Sequence, residues 1–157
     1  MIKQEIQRMI NNSLFASLGY IDLEGKPSIR KVFCTWHKGL GRHLISSNLS
    51  SGHVKALQRN SSSCLYFDDT ENFMAVCLNG TVIVHTEEVY KRLLWTEGDE
   101  QYYPAGVEDE DYCVLEFVAE SARYYASDGS GDILQSELME FDENEVLKNY
   151  YENVVIS

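Results

Sequence analysis

The chain has 157 residues, 44% of them hydrophobic, and a formal net charge of −12 from 13 Lys and Arg against 25 Asp and Glu. The length suits one domain with a buried core, and the negative charge argues against general binding to nucleic acid or to an anionic membrane surface. No apolar run is long enough to span a membrane, and the first residues lack the apolar stretch of a signal peptide, so we expect a cytoplasmic protein.

The hydrophobic pattern predicts a mainly β domain with short helices. In chain order we predict a helix over 3–12, strands over 15–21, 28–36 and 42–47, a helix over 50–59, strands over 63–67 and 73–86, a helix over 87–95 and a strand over 112–125. Hairpins join most of the six strands, which indicates an antiparallel barrel with helices at its ends rather than a helical bundle or a doubly wound parallel sheet. Gly80 interrupts the longest apolar strand and predicts a β-bulge or a close backbone approach there.

The C-terminal part is acidic and less periodic than the rest. Residues 127–131 are typical of a Gly/Ser linker, and the tail beyond them predicts a strand near 133–139 and a helix near 143–151. We therefore assign 1–126 to the barrel domain and 127–157 to an acidic C-terminal extension of the same domain.

The basic residues are concentrated in one third of the chain. Between Lys26 and Phe67 there is no Asp or Glu, and this stretch holds 7 of the 13 Lys and Arg and three of the four His. An acidic protein that keeps such a segment free of carboxylates is expected to bind a small anion there. Chance composition and a dimer face are the alternatives.

Within the acid-free segment, a strand-borne arginine, two serines at a strand end and a helix start converge without a competing carboxylate. Helix N-termini present unpaired N–H groups and a partial positive charge, both of which attract phosphate. The side chains that add donors or charge are Arg30, Ser46, Ser47, Ser51, His53 and Lys55. This pattern predicts a site for a phosphomonoester.

Other chemistry-bearing residues give weaker signals. The four cysteines lie far apart in apolar, strand-like runs, without CxxC or a metal-type spacing to His, so we predict buried free thiols and no metal site. The acidic run over 109–111 is interpreted as a solvated loop, and His85 as structural. No nucleophile–base pair or paired carboxylates are evident, so we predict no catalytic side chain.

Four segments carry a resemblance to a known family: LGYIDLEGKPSIRKVF, HLISSNLSSGHVKAL, NGTVIV and, most distinctive, LLWTEGDEQYYPAGVEDEDYCVLEF. Over about 11–125 the chain resembles the FMN-binding split-barrel proteins, the pyridoxamine 5'-phosphate oxidase-like superfamily, and within it the branch related to general stress protein 26. The resemblance implies a six-stranded antiparallel split β-barrel that forms a homodimer, with FMN in each of two clefts at the subunit interface.

The same resemblance implies roles for individual residues. It assigns the FMN phosphate to Arg30, Ser46, Ser47, Ser51, His53 and Lys55. It places the isoalloxazine edge against the strand around Lys31, Val32 and Phe33, and it makes Trp95 or Tyr102 a lid from the partner subunit. The family usually has Lys at the position of His53, and because neutral imidazole is a weaker phosphate partner, flavin affinity is expected to be low or pH-dependent, or FMN lost.

The function implied is that of an FMN-dependent oxidoreductase that transfers hydride between the flavin and a small-molecule electron donor or acceptor. Oxidation of pyridoxamine phosphate itself is disfavoured, because the tail lacks basic residues for a second phosphate. The alternatives are a non-catalytic flavin binder or sensor, a dimeric interaction module with an empty cleft, and a heme-binding or nitroimidazole reductase-like relative.

Overall fold

The computed structural model describes residues 2–138, which form one antiparallel sheet and four short helices. The strands are β1 (Phe15–Ile21), β2 (Pro27–Phe33), β3 (Trp36–Lys38), β4 (Arg42–Asn48), β5 (Ser62–Asp69), β6 (Met74–His85), β7 (Tyr112–Ala126) and β8 (Gly129–Ile133). The helices are α1 (Ile2–Asn11), α2 (Gly52–Arg59), α3 (Glu88–Leu94) and α4 (Gln135–Leu138). No helix in this part of the chain has the length and apolar character needed to cross a membrane.

The sheet curls into a barrel whose two edge strands are joined by a short chain connection and not by a ladder of hydrogen bonds. Its strand order is β2-β1-β5-β6-β7-β4-β3, with β8 paired to the far half of β7. Strands β2 and β3 are therefore the two edges, yet only Cys34 and Thr35 separate them in sequence. The edges must meet at this point, so the protein is mainly β and forms a split barrel, as the sequence predicts.

Two differences raise the strand count from the predicted six to eight. The predicted strand over 28–36 is broken at Cys34 and Thr35, because the chain crosses there from one edge of the sheet to the other. The linker predicted over 127–131 is wrong, since Gly129–Ile133 pairs with β7 as β8.

The region beyond β8 also differs from its prediction. A helix, α4, replaces the predicted strand near 133–139, and the helix predicted near 143–151 lies outside the described residues.

The predicted irregularity at Gly80 is confirmed. The register of β6 against β7 shifts between Asn79 and Gly80, and a Cβ at Gly80 would clash with the Val118 carbonyl oxygen. Only glycine allows the two strands to approach this closely, and the bulge increases the local twist that closes the barrel.

The barrel interior is one continuous apolar core. Inward rows on β1, β5 and β6 place Leu18 opposite Leu65 and Leu65 opposite Leu78, all fully buried. Helix α1 adds Ile6 and Ile10, which are also fully buried. At about 2 kcal/mol for each fully buried aliphatic side chain, this row fixes which face of β1 and β2 points inward, and so positions the site described next.

Candidate phosphate-binding site

The site begins with Arg30 on the edge strand β2. Arg30 lies opposite Leu18 in the β1–β2 register, so it shares the inward face of the sheet, but at an edge strand this face opens beyond the core. Its guanidinium extends toward α2, where Nη1 donates to Nδ1 of His53 at 2.7 Å.

His53 links the arginine to the end of β4. It is only 4% exposed, and its Nε2 lies 2.8 Å from Oγ of Ser47. Because the guanidinium can only donate, Nδ1 of His53 must accept, and Nε2 therefore carries the proton and donates to Ser47. The three side chains form a directed chain of hydrogen bonds from β2 through α2 to β4.

The environment keeps His53 neutral. Burial and then the neighbouring Arg30 charge lower its pKa to about 4. The titration expected near pH 6.5 for an ordinary imidazole is thus moved well below neutrality. At neutral pH, His53 orients Arg30 and contributes no positive charge of its own.

The start of α2 lies beside this chain of hydrogen bonds. Ser51 is the N-cap residue in extended conformation, and its side chain makes no capping hydrogen bond to the described helix. The first-turn N–H groups of α2 have no partner within the helix, and the exposed Lys55 follows one turn later.

A carboxylate stands next to this helix start, contrary to the expectation that none competes there. Asp111 accepts from the backbone N–H of Ser50 at 2.8 Å, from its hydroxyl at 2.9 Å and from Nδ2 of Asn48 at 3.0 Å. The bond from Asn48, followed by those from Ser50, lowers the pKa of Asp111. Asp111 is therefore a partly exposed acceptor that attaches the acidic loop to β4, a contact that the solvated-loop interpretation did not include.

Ser46 and Ser47 point in opposite directions, as neighbours on a strand must. Ser47 faces His53, whereas Ser46 hydrogen-bonds the Tyr112 side chain, which itself donates to the Lys91 carbonyl at 3.1 Å. The structure thus joins Arg30, Ser47 and His53 in one network and places Ser46 on the other face of β4.

The remaining predicted flavin contacts on β2 divide between its two faces. Val32 is buried, whereas Lys31 and Phe33 are exposed on the outer face, where the Phe33 ring packs 4.7 Å from that of Phe15. Nζ of Lys31 lies 4.7 Å from the Phe15 ring centroid. Only β1 pairs with β2 in the described sheet, so the N–H and C=O groups on the other backbone edge of β2 have no strand partner there.

Of the two predicted lid residues, Trp95 belongs to an aromatic cluster on the Ser46 side of β4, and Tyr102 does not. Trp95 packs 5.5 Å from Tyr112 and 6.1 Å from Tyr103, while Tyr102 is 68% exposed. Sequence reasoning missed Tyr103, whose hydroxyl lies 3.1 Å from both the Ser47 carbonyl and Oδ1 of Asn48. The YYP motif in the acidic loop was its only signal.

The acid-free segment does not form a single basic patch. Arg42 is buried against Glu116, with Nε to Oε2 at 3.1 Å, and Arg59 at the far end of α2 reaches the Leu23 carbonyl. Lys26 pairs with Glu24 at the surface. Of the seven cations, Arg30 and Lys55 remain next to the helix start.

Two clefts flank the sheet near its edges. A groove of about 430 Å³ on the outer face of β1, β2 and β5 is lined in part by Ser28, Ile29 and Gly19, beside Arg30 in sequence. A larger one of about 600 Å³ lies at the β5–β6 turn, against Phe73 and Tyr125. Among the described residues, neither cleft is lined by Arg30, His53 or Ser47.

Comparisons with known proteins identify the family and the fold of this chain. A family model described as pyridoxamine 5'-phosphate oxidase like matches residues 6–143. A Clostridium acetobutylicum protein related to general stress protein 26 of Bacillus subtilis, of the pyridoxinephosphate oxidase family, is 31% identical with a TM-score of 0.75, covering 92% of this chain and 96% of its own. No curated protein matches the sequence.

More distant structures share the fold alone. General stress protein 26 from Bacillus anthracis str. Sterne is 13% identical with a TM-score of 0.70, covering 84% of this chain and 98% of its own. A heme binding protein from Mycobacterium smegmatis is also 13% identical, with a TM-score of 0.69, covering 88% of this chain and 60% of its own. A protein described as heme binding and one described as a general stress protein thus share this fold, so the ligand of this chain must be argued from its own residues.

Proposed function

Because the chain belongs to the pyridoxamine 5'-phosphate oxidase-like family, we propose that it is an FMN-binding flavoprotein that acts as a small-molecule oxidoreductase. The observation that carries the proposal is the hydrogen-bonded chain of Arg30, His53 and Ser47 beside the first turn of α2.

The residues present fit the phosphate of FMN. A guanidinium offers two parallel N–H donors to phosphate oxygens, and Arg30 uses Nη1 for His53 while Nε lies 3.4 Å from the Lys31 carbonyl, a weak contact that a phosphate can replace. Ser51 supplies an uncommitted cap hydroxyl and α2 supplies N–H groups. The Asp111 carboxylate accepts hydrogen bonds from Asn48 and from Ser50, and Ser50 directly precedes the cap residue Ser51.

Each residue then has a defined task. Arg30 binds the phosphate, and His53, held neutral, fixes the guanidinium without adding a proton-dependent charge. The open backbone edge of β2 at Val32 and Phe33 offers N–H and C=O groups to a planar ring edge. When bound, FMN supplies hydride or electron transfer between a small-molecule donor and acceptor.

We propose further that two copies of the chain associate through the outer face of the β1–β2 hairpin. Ile29 is 69% exposed, Phe33 56% and Phe15 43%, and these apolar side chains share one face, as the residues that interfaces bury do. In a homodimer the partner subunit's Trp95 or Tyr102 would close the flavin cleft.

The decisive experiment compares FMN with riboflavin, which lacks only the phosphate. We expect the purified protein to bind FMN more tightly than riboflavin by flavin fluorescence titration, and Arg30→Ala to reduce that preference about 10- to 150-fold, the equivalent of about 1.5–3 kcal/mol for a charge-assisted hydrogen bond. Arg59→Ala, at the other end of α2, is the matched control and should retain it.

Equal affinities of wild-type protein for FMN and riboflavin would overturn the phosphate assignment. A Soret band in the purified protein, with no flavin binding, would instead assign a heme ligand. Flavin binding without turnover of reduced nicotinamide or other donors would reduce the proposal to a flavin binder.

A further inference from the structure

A second cluster of chemistry-bearing side chains lies at the split of the barrel, apart from the Arg30 network. It consists of Cys34, in the crossing between the sheet edges, His37 of β3 and His43 of β4. One ligand atom from each residue lies within 4.8 Å of the other two. Cys34 and His43 are fully buried and His37 is half-buried.

The register of the β3–β4 hairpin creates the pair of imidazoles. His37 and His43 are directly opposite each other, and their Nδ1 atoms are 3.0 Å apart. Two nitrogens at this separation can both lie about 2.0–2.1 Å from one metal ion, the usual length of a metal–imidazole bond.

The hydrogen bonds around the two rings leave lone pairs without protons. Nε2 of His43 lies 2.9 Å from the Leu40 carbonyl, so it must donate, and Nδ1 of the neutral ring is a bare acceptor. A metal-binding histidine characteristically donates its other N–H to a backbone carbonyl in this way.

Neither position of the proton on a neutral His37 ring gives every ring nitrogen of His37 and His43 a hydrogen-bond partner. If Nδ1 of His37 carries the proton and donates to His43, then Nε2 of His37 is a buried acceptor with no partner among the described residues. If Nε2 carries it, that N–H has no hydrogen-bond partner among the described residues, and two bare Nδ1 lone pairs face each other. A cation between the Nδ1 atoms removes this conflict.

We propose that Cys34, His37 and His43 form a three-ligand site for a thiophilic cation, Cu⁺ in preference to Zn²⁺. Thiolate and imidazole are the ligands that soft and borderline first-row ions select. In a core walled by Phe67 and Phe117, one thiolate balances the charge of Cu⁺ completely but leaves Zn²⁺ with a net positive charge that is costly to bury. The cation must displace the Cys34 proton, so binding releases one proton.

The test uses the full-length reduced protein under anaerobic conditions, with Cu⁺ supplied as its coloured bicinchoninate complex. We expect wild-type protein to remove one equivalent of Cu⁺, and both Cys34→Ser and His37→Gln to lower the affinity at least tenfold. Cys64→Ser is the matched control. Cys64 contacts Cys77, and this pair of thiols lies outside the proposed site but could also bind Cu⁺. The control should keep the full equivalent.

Two further measurements keep the result decisive. Circular dichroism identifies folded variants, and His37→Gln carries the test if Cys34→Ser fails to fold, because His37 is only half-buried. X-ray absorption of the Cu⁺ complex should show one sulfur and two nitrogen neighbours. Absence of binding, or binding that Cys64→Ser alone removes, would overturn the site, and binding of Zn²⁺ without Cu⁺ would overturn the choice of cation.

Discussion

Replacing His53 with glutamine should flatten the acid dependence of folding stability. Burial and Arg30 hold the folded pKa of His53 at about 4, against about 6.5 in an unfolded chain. The unfolded state therefore binds more protons between about pH 6.5 and pH 4, and stability falls as the pH falls through that window. At about pH 5 the unfolded imidazole is almost fully protonated and the folded one mostly neutral, a difference of roughly 2 kcal/mol.

Urea unfolding of the metal-free protein at about pH 7 and pH 5, at constant ionic strength, measures this difference. Wild-type protein should lose roughly 2 kcal/mol more than His53→Gln over this interval, since the other buried histidines act equally in both proteins. Glutamine keeps an acceptor for Arg30 and a donor for Ser47. Lys55→Gln, an exposed change in the same helix, should follow the wild-type profile, and identical losses in wild type and His53→Gln would refute the neutral, buried state of His53.

Three further changes test other parts of the account. Asp111→Asn removes a negative charge beside the helix start, so FMN should bind a few-fold more tightly by fluorescence titration. Unchanged or weaker binding would show that the Asp111 charge does not repel the bound phosphate. Gly80→Ala should lower unfolding stability in urea by about 2–3 kcal/mol because its Cβ meets the Val118 carbonyl, whereas Gly52→Ala, with open space at Cβ, should not. Glu116→Gln, which leaves the buried Arg42 charge without its carboxylate, should cost about 3–5 kcal/mol by the same assay, and a cost below 1 kcal/mol would contradict that pairing.

The sequence pattern predicted the strands well because most of them alternate cleanly around one core. The pattern did not predict the break between β2 and β3, because Val32, Cys34 and Trp36 are apolar at alternate positions, although Trp36 packs in a different cluster from Val32 and Cys34. The break arises from closure of the barrel, which joins strands at opposite edges of the sheet. Strand β8 was missed because Gly and Ser are typical of linkers, and only its pairing with the long β7 makes it a strand.

The candidate site was partly predictable because the regular alternation of side chains on a strand also applies to its residues. The two-residue period of a strand already separates Ser46 from Ser47, and it was the convergence of Arg30 with the start of α2 that sequence reasoning identified. Asp111 and Ser50 are 61 residues apart in sequence, and no local sequence pattern predicts their contact. The sequence analysis found no metal-type spacing between cysteine and histidine, and Cys34, His37 and His43 form a cluster only because the β3–β4 register sets the two histidines face to face.

The most direct measurement of the central claim is a crystal structure of the protein with FMN bound. We expect phosphate oxygens to lie within hydrogen-bond distance of the Arg30 guanidinium and of Ser51 at the start of α2, with His53 still between Arg30 and Ser47. A flavin whose phosphate lies away from Arg30 and α2 would contradict it.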